Sequence, residues 1–187
     1  YGLFKKLGFN KFIEKWGISA SEDDAAAEEV PHMLKRDDAS YDELCTAVAE
    51  AELVAVCAGD NMDSIEICDG KTVYNVHWSS LGDDYDKLLK LIFSADVKKV
   101  SHNVKELMGR LMAEGLPLDG FVYDTALAAY LLDATENDYD LRRISMRYCG
   151  AELIGAEAIY RLKPATEEKL KELEMEKLYY EIELPLC

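Results

Sequence analysis

The sequence predicts an α/β fold, a mixed sheet of about five strands flanked by helices. Three observations carry this expectation. Residues 53–57 (LVAVC) are a continuous apolar run of strand length, the pattern of a central strand covered on both faces. Residues 64–68 (SIEIC) and 72–76 (TVYNV) are two β-rich runs joined around Asp69-Gly70, a strong hairpin signal. Between and after them lie stretches with apolar residues at helical spacing, so helices and strands alternate along the chain.

Taken in order, residues 3–16 (LFKKLGFNKFIEKW) form a short amphipathic segment stopped near Gly17. Residues 19–29 (SASEDDAAAEE) are acidic and rich in small residues, the composition of a mobile linker. The expected organisation is a helical tail over 1–18, a linker over 19–29 and one domain over 30–187. The domain opens with an extended piece through Leu34. Ser40 with Glu43 three residues on has capping-box spacing and starts a helix. The strand at 53–57 follows, then a turn at 60–63 and the hairpin. Asp83 or Asp84 is expected to cap a helix through Phe93, with Leu88, Leu91 and Ile92 inward. Residues 98–101 read as a strand.

The stretch 100–133 (VSHNVKELMGRLMAEGLPLDGFVYDTALAAYLLD) is the most structured part of the sequence. Val104, Leu107, Leu111 and Met112 give a buried helical stripe. Gly115 marks the stop and Pro117 follows it. Asp124-Thr125 then opens a second helix as an N-cap would, with Leu127, Tyr130 and Leu131 as its buried stripe. Asp138 and Asp140 form a second cap region ahead of LRRISMRYCG, which Gly150 ends. Two more helices are expected, over about 151–162 and 166–184, split by Pro164. Leu170, Leu173, Leu178 and Ile182 supply the stripe of the last one. Val56, Leu107, Leu111, Leu127 and Leu131 are the predicted core.

The net charge of −16 bears on partners. Residues 1–18 carry net +3, which leaves −19 on the rest, whereas a surface that grips nucleic acid by itself is usually basic. Basic clusters occur at Lys98-Lys99 and at Arg142-Arg143 with Arg147, where surface solvation is the expected role. Five cysteines without CxxC spacing read as reduced thiols, and three scattered histidines give no metal pattern. No apolar run has the length of a bilayer span and no signal peptide is visible. Tyr1 in place of Met and an end inside a helical pattern read as a piece of a longer protein.

The run His102-Asn103-Val104-Lys105, Gly115-Leu116-Pro117-Leu118, Val122-Tyr123-Asp124-Thr125 and residues 127–132 closely resembles the proofreading segment of bacterial family A DNA polymerases, in order and in spacing. Weaker similarity extends from residue 3 to residue 187, including Glu183-Leu184-Pro185-Leu186, which is similar to the passage between exonuclease and polymerase domains. The resemblance implies an RNase H-like three-layer fold and a 3′–5′ exonuclease-like domain. It also implies a covalently attached polymerase domain, DNA reached through that parent polymerase, a monomeric fragment, a bacterial cytoplasmic location at the nucleoid, and a role in DNA replication and repair.

In that family two divalent metals hydrolyse the terminal phosphodiester, and hard cations such as Mg²⁺ or Mn²⁺ require converging carboxylates. The resemblance places an Asp-x-Glu at the end of the first strand, an Asp four residues after the helix-opening Asn, and a Tyr-x-x-x-Asp on a late helix. Here the first two positions hold Cys57 and Gly59, and the third holds Leu107. Tyr160 is followed four residues on by Pro164 and Tyr180 by Leu184; Tyr179 has Glu183, but within the connecting helix. Asp60 and Asp63 read as turn formers, and Asp124 as a cap rather than a metal ligand. The expectation is therefore a vestigial copy with no catalytic residue, no metal site and no cofactor, serving as an architectural module. Asn103, Lys105, Arg142 and Arg143 remain weak candidates for nucleic-acid contact. The alternatives are an active metal-dependent 3′–5′ DNA exonuclease with relocated ligands, and an acidic protein-interaction module.

Overall fold

The structure is a computed structural model that describes residues 31–136 and 138–186. The predicted tail at 1–18 and linker at 19–29 lie outside the described residues. Six strands form one mixed sheet: β1 (Leu34–Arg36), β2 (Val54–Ala58), β3 (Ser64–Cys68), β4 (Thr72–His77), β5 (Lys99–Ser101) and β6 (Phe121–Asp124). Their order is β1-β4-β3-β2-β5-β6. The central strand β2 pairs antiparallel with β3 and parallel with β5. The hairpin turn is built by Asp69, whose Oδ1 accepts the N–H groups of Lys71 and Thr72 at 2.8 and 2.7 Å. The sixth strand, beyond the five expected, is the three-residue β1, parallel to β4. Its exposed Leu34 and Lys35 give it no alternation for a sequence reading to detect.

Seven α-helices are described: α1 (Tyr41–Glu50), α2 (Trp78–Leu81), α3 (Asp83–Ile92), α4 (Val104–Ala113), α5 (Thr125–Leu132), α6 (Leu141–Cys149) and α7 (Gly155–Glu172). One face of the sheet buries Val54, Val56, Ile65, Ile67 and Val76 against Leu44, Leu88, Ile92, Leu107 and Leu111 of α1, α3 and α4. The other face buries Ala55, Cys68, Val73, Val100 and Tyr123 against Ala128 of α5 and Ala156, Ile159 and Leu170 of α7. The result is three layers, with α6 joined to α5 and α7 through Ala129, Ile144 and Leu162. Leu127 and Leu131 are partly buried and pack against the second core. The capping box at α1 forms in full, Ser40 and Glu43 each accepting from the other's backbone.

Several expectations are corrected. The N-cap of α3 is Gly82, in a positive-φ conformation, and Asp83 and Asp84 lie in the first turn, near the positive end of the helix dipole. Met112 is exposed because α4 touches the core only through Val104, Leu107 and Leu111. Tyr130 is likewise exposed, since the eight-residue α5 buries Thr125, Ala128 and Ala129. Pro164 does not split two helices. It sits exposed inside the single helix α7, where its missing N–H removes one hydrogen bond and its ring faces solvent. After α7 comes a π-helical turn, Leu178–Glu183, in which Tyr179 is buried while Leu173, at the helix end, and Ile182 stay exposed.

Lys99 departs most from its expected place. Rather than forming a surface pair with Lys98, it is fully buried, and its Nζ donates to the carbonyls of Ser94, Val97 and Asp119 at 3.1, 2.7 and 2.6 Å. Three donors thus meet three acceptors, which is what lets an ammonium remain inside. Burial pushes the amine down to about 8, against the pull of the Asp119 charge.

Candidate functional site

The site is assembled at the end of β2. In the ladders Cys57 lies opposite Glu66 and Glu66 opposite Asn75, so the three side chains form a row on one face of the sheet. They line a shallow cleft of about 350 Å³ with Gly59 and Ser64. An added Cβ at position 59 would lie 2.5 Å from Ser64 Oγ, so a larger residue there requires that hydroxyl to turn away. Burial pushes the Cys57 thiol up to about 11, helped by Glu66 and opposed by Arg110, so it stays protonated near neutrality. Leu107, 1% exposed, belongs to the core beneath the sheet rather than to the cleft.

Two charged residues that the sequence reading did not single out fill this region. Arg110, on α4, donates from Nη1 to the carbonyls of Ala58 and Gly59 at 3.2 and 2.9 Å, and lies 3.9 Å from Asp60 Oδ1. Glu66 accepts the N–H of Ala156 at 2.9 Å, in the first turn of α7, where the N-cap residue Ile154 supplies no side-chain bond. A Cβ on Gly155 would collide with that carboxylate. Glu66 thus caps α7 from a neighbouring strand. A lone glutamate inside the apolar SIEIC run was the available signal for it. Arg110 gave none beyond its position three residues after Leu107.

The other candidates are spread across the fold. Asp124 is buried, and its carboxylate accepts four backbone N–H groups: Ala126 and Leu127 at the start of α5, at 2.9 and 3.3 Å, and Asn103 and Val104 at the start of α4, at 2.9 and 2.8 Å. It therefore caps two helices at once. Its own backbone is held by Tyr179, whose hydroxyl accepts from Asp124 N at 2.7 Å and donates to Asp124 O at 3.0 Å. Tyr179 thus sits beside β6, two strands away from β2, and Glu183 ends the same π-helical turn. Tyr160 lies under the hairpin, its hydroxyl against Gly70. Asp140 caps α6 through Arg142 N, and Asp138 accepts the N–H of Asp140.

Of the weak nucleic-acid candidates, Asn103 spends its amide on Glu106 and stands in a left-handed conformation at the N-cap of α4. Lys105 and Arg142 are exposed, Arg143 pairs with Glu136, and Arg147 pairs with Asp133 and Glu136. His102 packs at the mouth of a cleft beside Asn103 and Tyr139, with Nδ1 2.9 Å from Thr125 Oγ1, and burial lowers its pKa. Among the described residues no three His, Cys, Asp or Glu side chains converge on a point that could hold a metal ion. The residues at the end of β2 do not fit a pair of divalent cations: they offer a protonated thiol, a glycine and a guanidinium, and the one carboxylate lining the cleft, Glu66, already accepts the N–H of Ala156. Among the described residues no helix is long and apolar enough to cross a membrane.

This sheet order, with helices on both faces, defines a ribonuclease H-like α/β domain. The same architecture occurs in the POL domain of Pol1 from M. smegmatis, solved in complex with DNA primer-template and dNTP, with a TM-score of 0.69 and 24% identity over 81% of this chain and 30% of that one. It occurs too in NrnC of Brucella melitensis, solved with bound Mg²⁺, with a TM-score of 0.56 and 15% identity over 79% of this chain and 85% of that one. DNA polymerase I of Geobacillus stearothermophilus is 27% identical over 165 residues, covering 84% of this chain and 18% of that protein. DNA polymerase I of Mycobacterium leprae (strain TN) is 38% identical over 71 residues, 38% of this chain and 8% of that protein. Residues 59–175 match the family described as DNA polymerase I, ribonuclease H-like domain, and the chain belongs to that family. It spans less than a fifth of the length of either curated relative.

Proposed function

We propose that this chain is a non-catalytic 3′–5′ exonuclease-like domain of a DNA polymerase I, acting as a structural module of a DNA replication and repair polymerase. The observation that carries the reading is the end of β2, where Cys57 and Gly59 stand in the positions that the family resemblance assigns to carboxylates. Arg110 also lies across the adjacent carbonyls. Two cations held close together need several converging carboxylates, and the cleft is lined by one, Glu66, which already accepts the N–H of Ala156. Attachment to a polymerase domain is supported by the relatives, which are DNA polymerase I proteins far longer than this chain. The net charge of −16 opposes autonomous binding of single strands, so DNA would be met through the parent polymerase. The domain itself would be a monomer in the bacterial cytoplasm.

The test is digestion of a 3′-extended, 5′-end-labelled single strand by the purified chain with Mg²⁺ or Mn²⁺. No metal-dependent loss of 3′ nucleotides is expected. Digestion that comigrates with the chain on size exclusion and disappears in Asp124→Ala would replace this reading with an exonuclease using relocated ligands.

A further inference from the structure

We infer that Arg110, seated across the carbonyls of Ala58 and Gly59, is the resident cation at the end of β2, and that its charge keeps divalent cations out. The inference rests on the non-catalytic reading above. Arg110 projects from α4 three residues after Leu107. The helix that the family resemblance expects to deliver an aspartate therefore delivers a guanidinium close by, since i and i+3 are helical neighbours.

Three observations tie that guanidinium to the site. Its Nη1 bridges the carbonyls of Ala58, the last residue of β2, and Gly59, the residue after it. Its Nε is buried with no hydrogen-bond partner, so the guanidinium makes its bonds here through Nη1 alone. Its field also reaches position 57, where it pulls the Cys57 thiol downward against burial and Glu66. Glu66 stands across the ladder from Cys57 on the same face. Directly opposed side chains have Cβ atoms about 5 Å apart, so a carboxylate at 57 together with Glu66 would offer a hard cation two oxygen ligands. Arg110 is the charge that competes for those oxygens. Restoring an acid at 57 alone therefore gives a new ion pair rather than a metal site.

Mn²⁺ binding, followed by the electron paramagnetic resonance signal of the free ion, tests this on the whole chain. The comparison is Cys57→Asp against Cys57→Asp with Arg110→Gln, where the glutamine keeps an amide donor for the carbonyls and removes the charge. Loss of one nearby unit charge should tighten Mn²⁺ binding by at least about tenfold in the double variant. Equal affinities would overturn the inference. Should the glutamine variant not fold, Cys57→Asp with Arg110→Lys decides the matter. The charge is kept there, so binding no tighter than in Cys57→Asp is expected, and a gain of about tenfold would count against Arg110 as the excluding charge. The single-strand digestion of the unmodified chain is a separate readout: activity there would sink the non-catalytic reading, whereas the two Mn²⁺ affinities speak to Arg110.

Discussion

Asp124→Ala should be among the costliest single substitutions outside the apolar core. The carboxylate accepts four backbone N–H groups, two at the start of α4 and two at the start of α5. Losing an N-cap typically costs about 1 kcal/mol, and here two caps go together. The Val104 N–H lies in a buried bond, and a buried donor left without an acceptor adds about 1–3 kcal/mol. The expected loss is therefore about 3–5 kcal/mol, a large part of an ordinary domain's stability of about 5–15 kcal/mol. Asp124→Asn should lose only about 1–2 kcal/mol, because its carbonyl oxygen can keep the bonds made by Oδ1 while its amide faces the Val104 N–H. Urea unfolding measures both as shifts in midpoint at constant slope. A loss below about 1 kcal/mol in Asp124→Ala would refute the double-cap account. So would a wild-type midpoint that rises with Mn²⁺ and stops rising in the variant, since that is the behaviour of a metal ligand.

Three further outcomes follow from burial. The Lys99 amine sits near 8 in the folded chain and near its ordinary 10.5 when unfolded, so between those values the unfolded chain binds more protons and stability should climb with pH. The climb should reach at most about 3 kcal/mol and be missing from Lys99→Met; parallel stability profiles for the two proteins would contradict it. His102, lowered from 6.5 by burial, binds fewer protons when folded, so acidification below 6.5 should cost stability in the wild type and less in His102→Gln, as read by thermal melting between pH 7.5 and 5.5. Leu107→Asp should cost at least about 3–5 kcal/mol, since it removes a core side chain and puts a carboxylate in its place; a variant that melts within a few degrees of the wild type would show that position 107 can turn to solvent.

What could be read from the sequence was chemistry that acts over a few residues. The Ser40–Glu43 box, the Asp69-Gly70 turn and the capping roles of Asp124 and Asp140 all link groups two or three positions apart. Half of what Asp124 does was hidden, because its bonds to Asn103 and Val104 cross some twenty residues of chain and depend on β5 lying beside β6. Glu66 reaches Ala156 across 90 residues, and Arg110 reaches Gly59 across 51. Neither partner has a distinctive residue type, since both are backbone groups. Lys99 was misplaced for the same reason: three carbonyls from two loops leave no trace in composition. Pro164 misled because Leu162, Thr166 and Leu170 on either side of it are buried, and that packing carries the helix through a proline that lacks one N–H bond.

The placement of Asp124 also explains why the stretch that carries the family resemblance says little about catalysis. His102, Asn103, Asp124 and Thr125 are bound to one another or to the same backbone groups, and Tyr179 closes the set by satisfying both the N–H and the C=O of Asp124. That joint fixes the entry of α4, the entry of α5 and the edge of the sheet with buried hydrogen bonds, so a substitution there is paid in stability. The end of β2 is built differently. Its row of Cys57, Glu66 and Asn75 lies along the rim of an open cleft, where one polar side chain can replace another without unpairing a strand. On the proposed reading, the acids of a metal site can leave such a rim once Arg110 and Glu66 hold α4 and α7 against it, while the joint cannot change without loosening two helices. Similarity concentrated at Asp124 therefore reports on the fold, and the chemistry of this chain has to be judged at the end of β2.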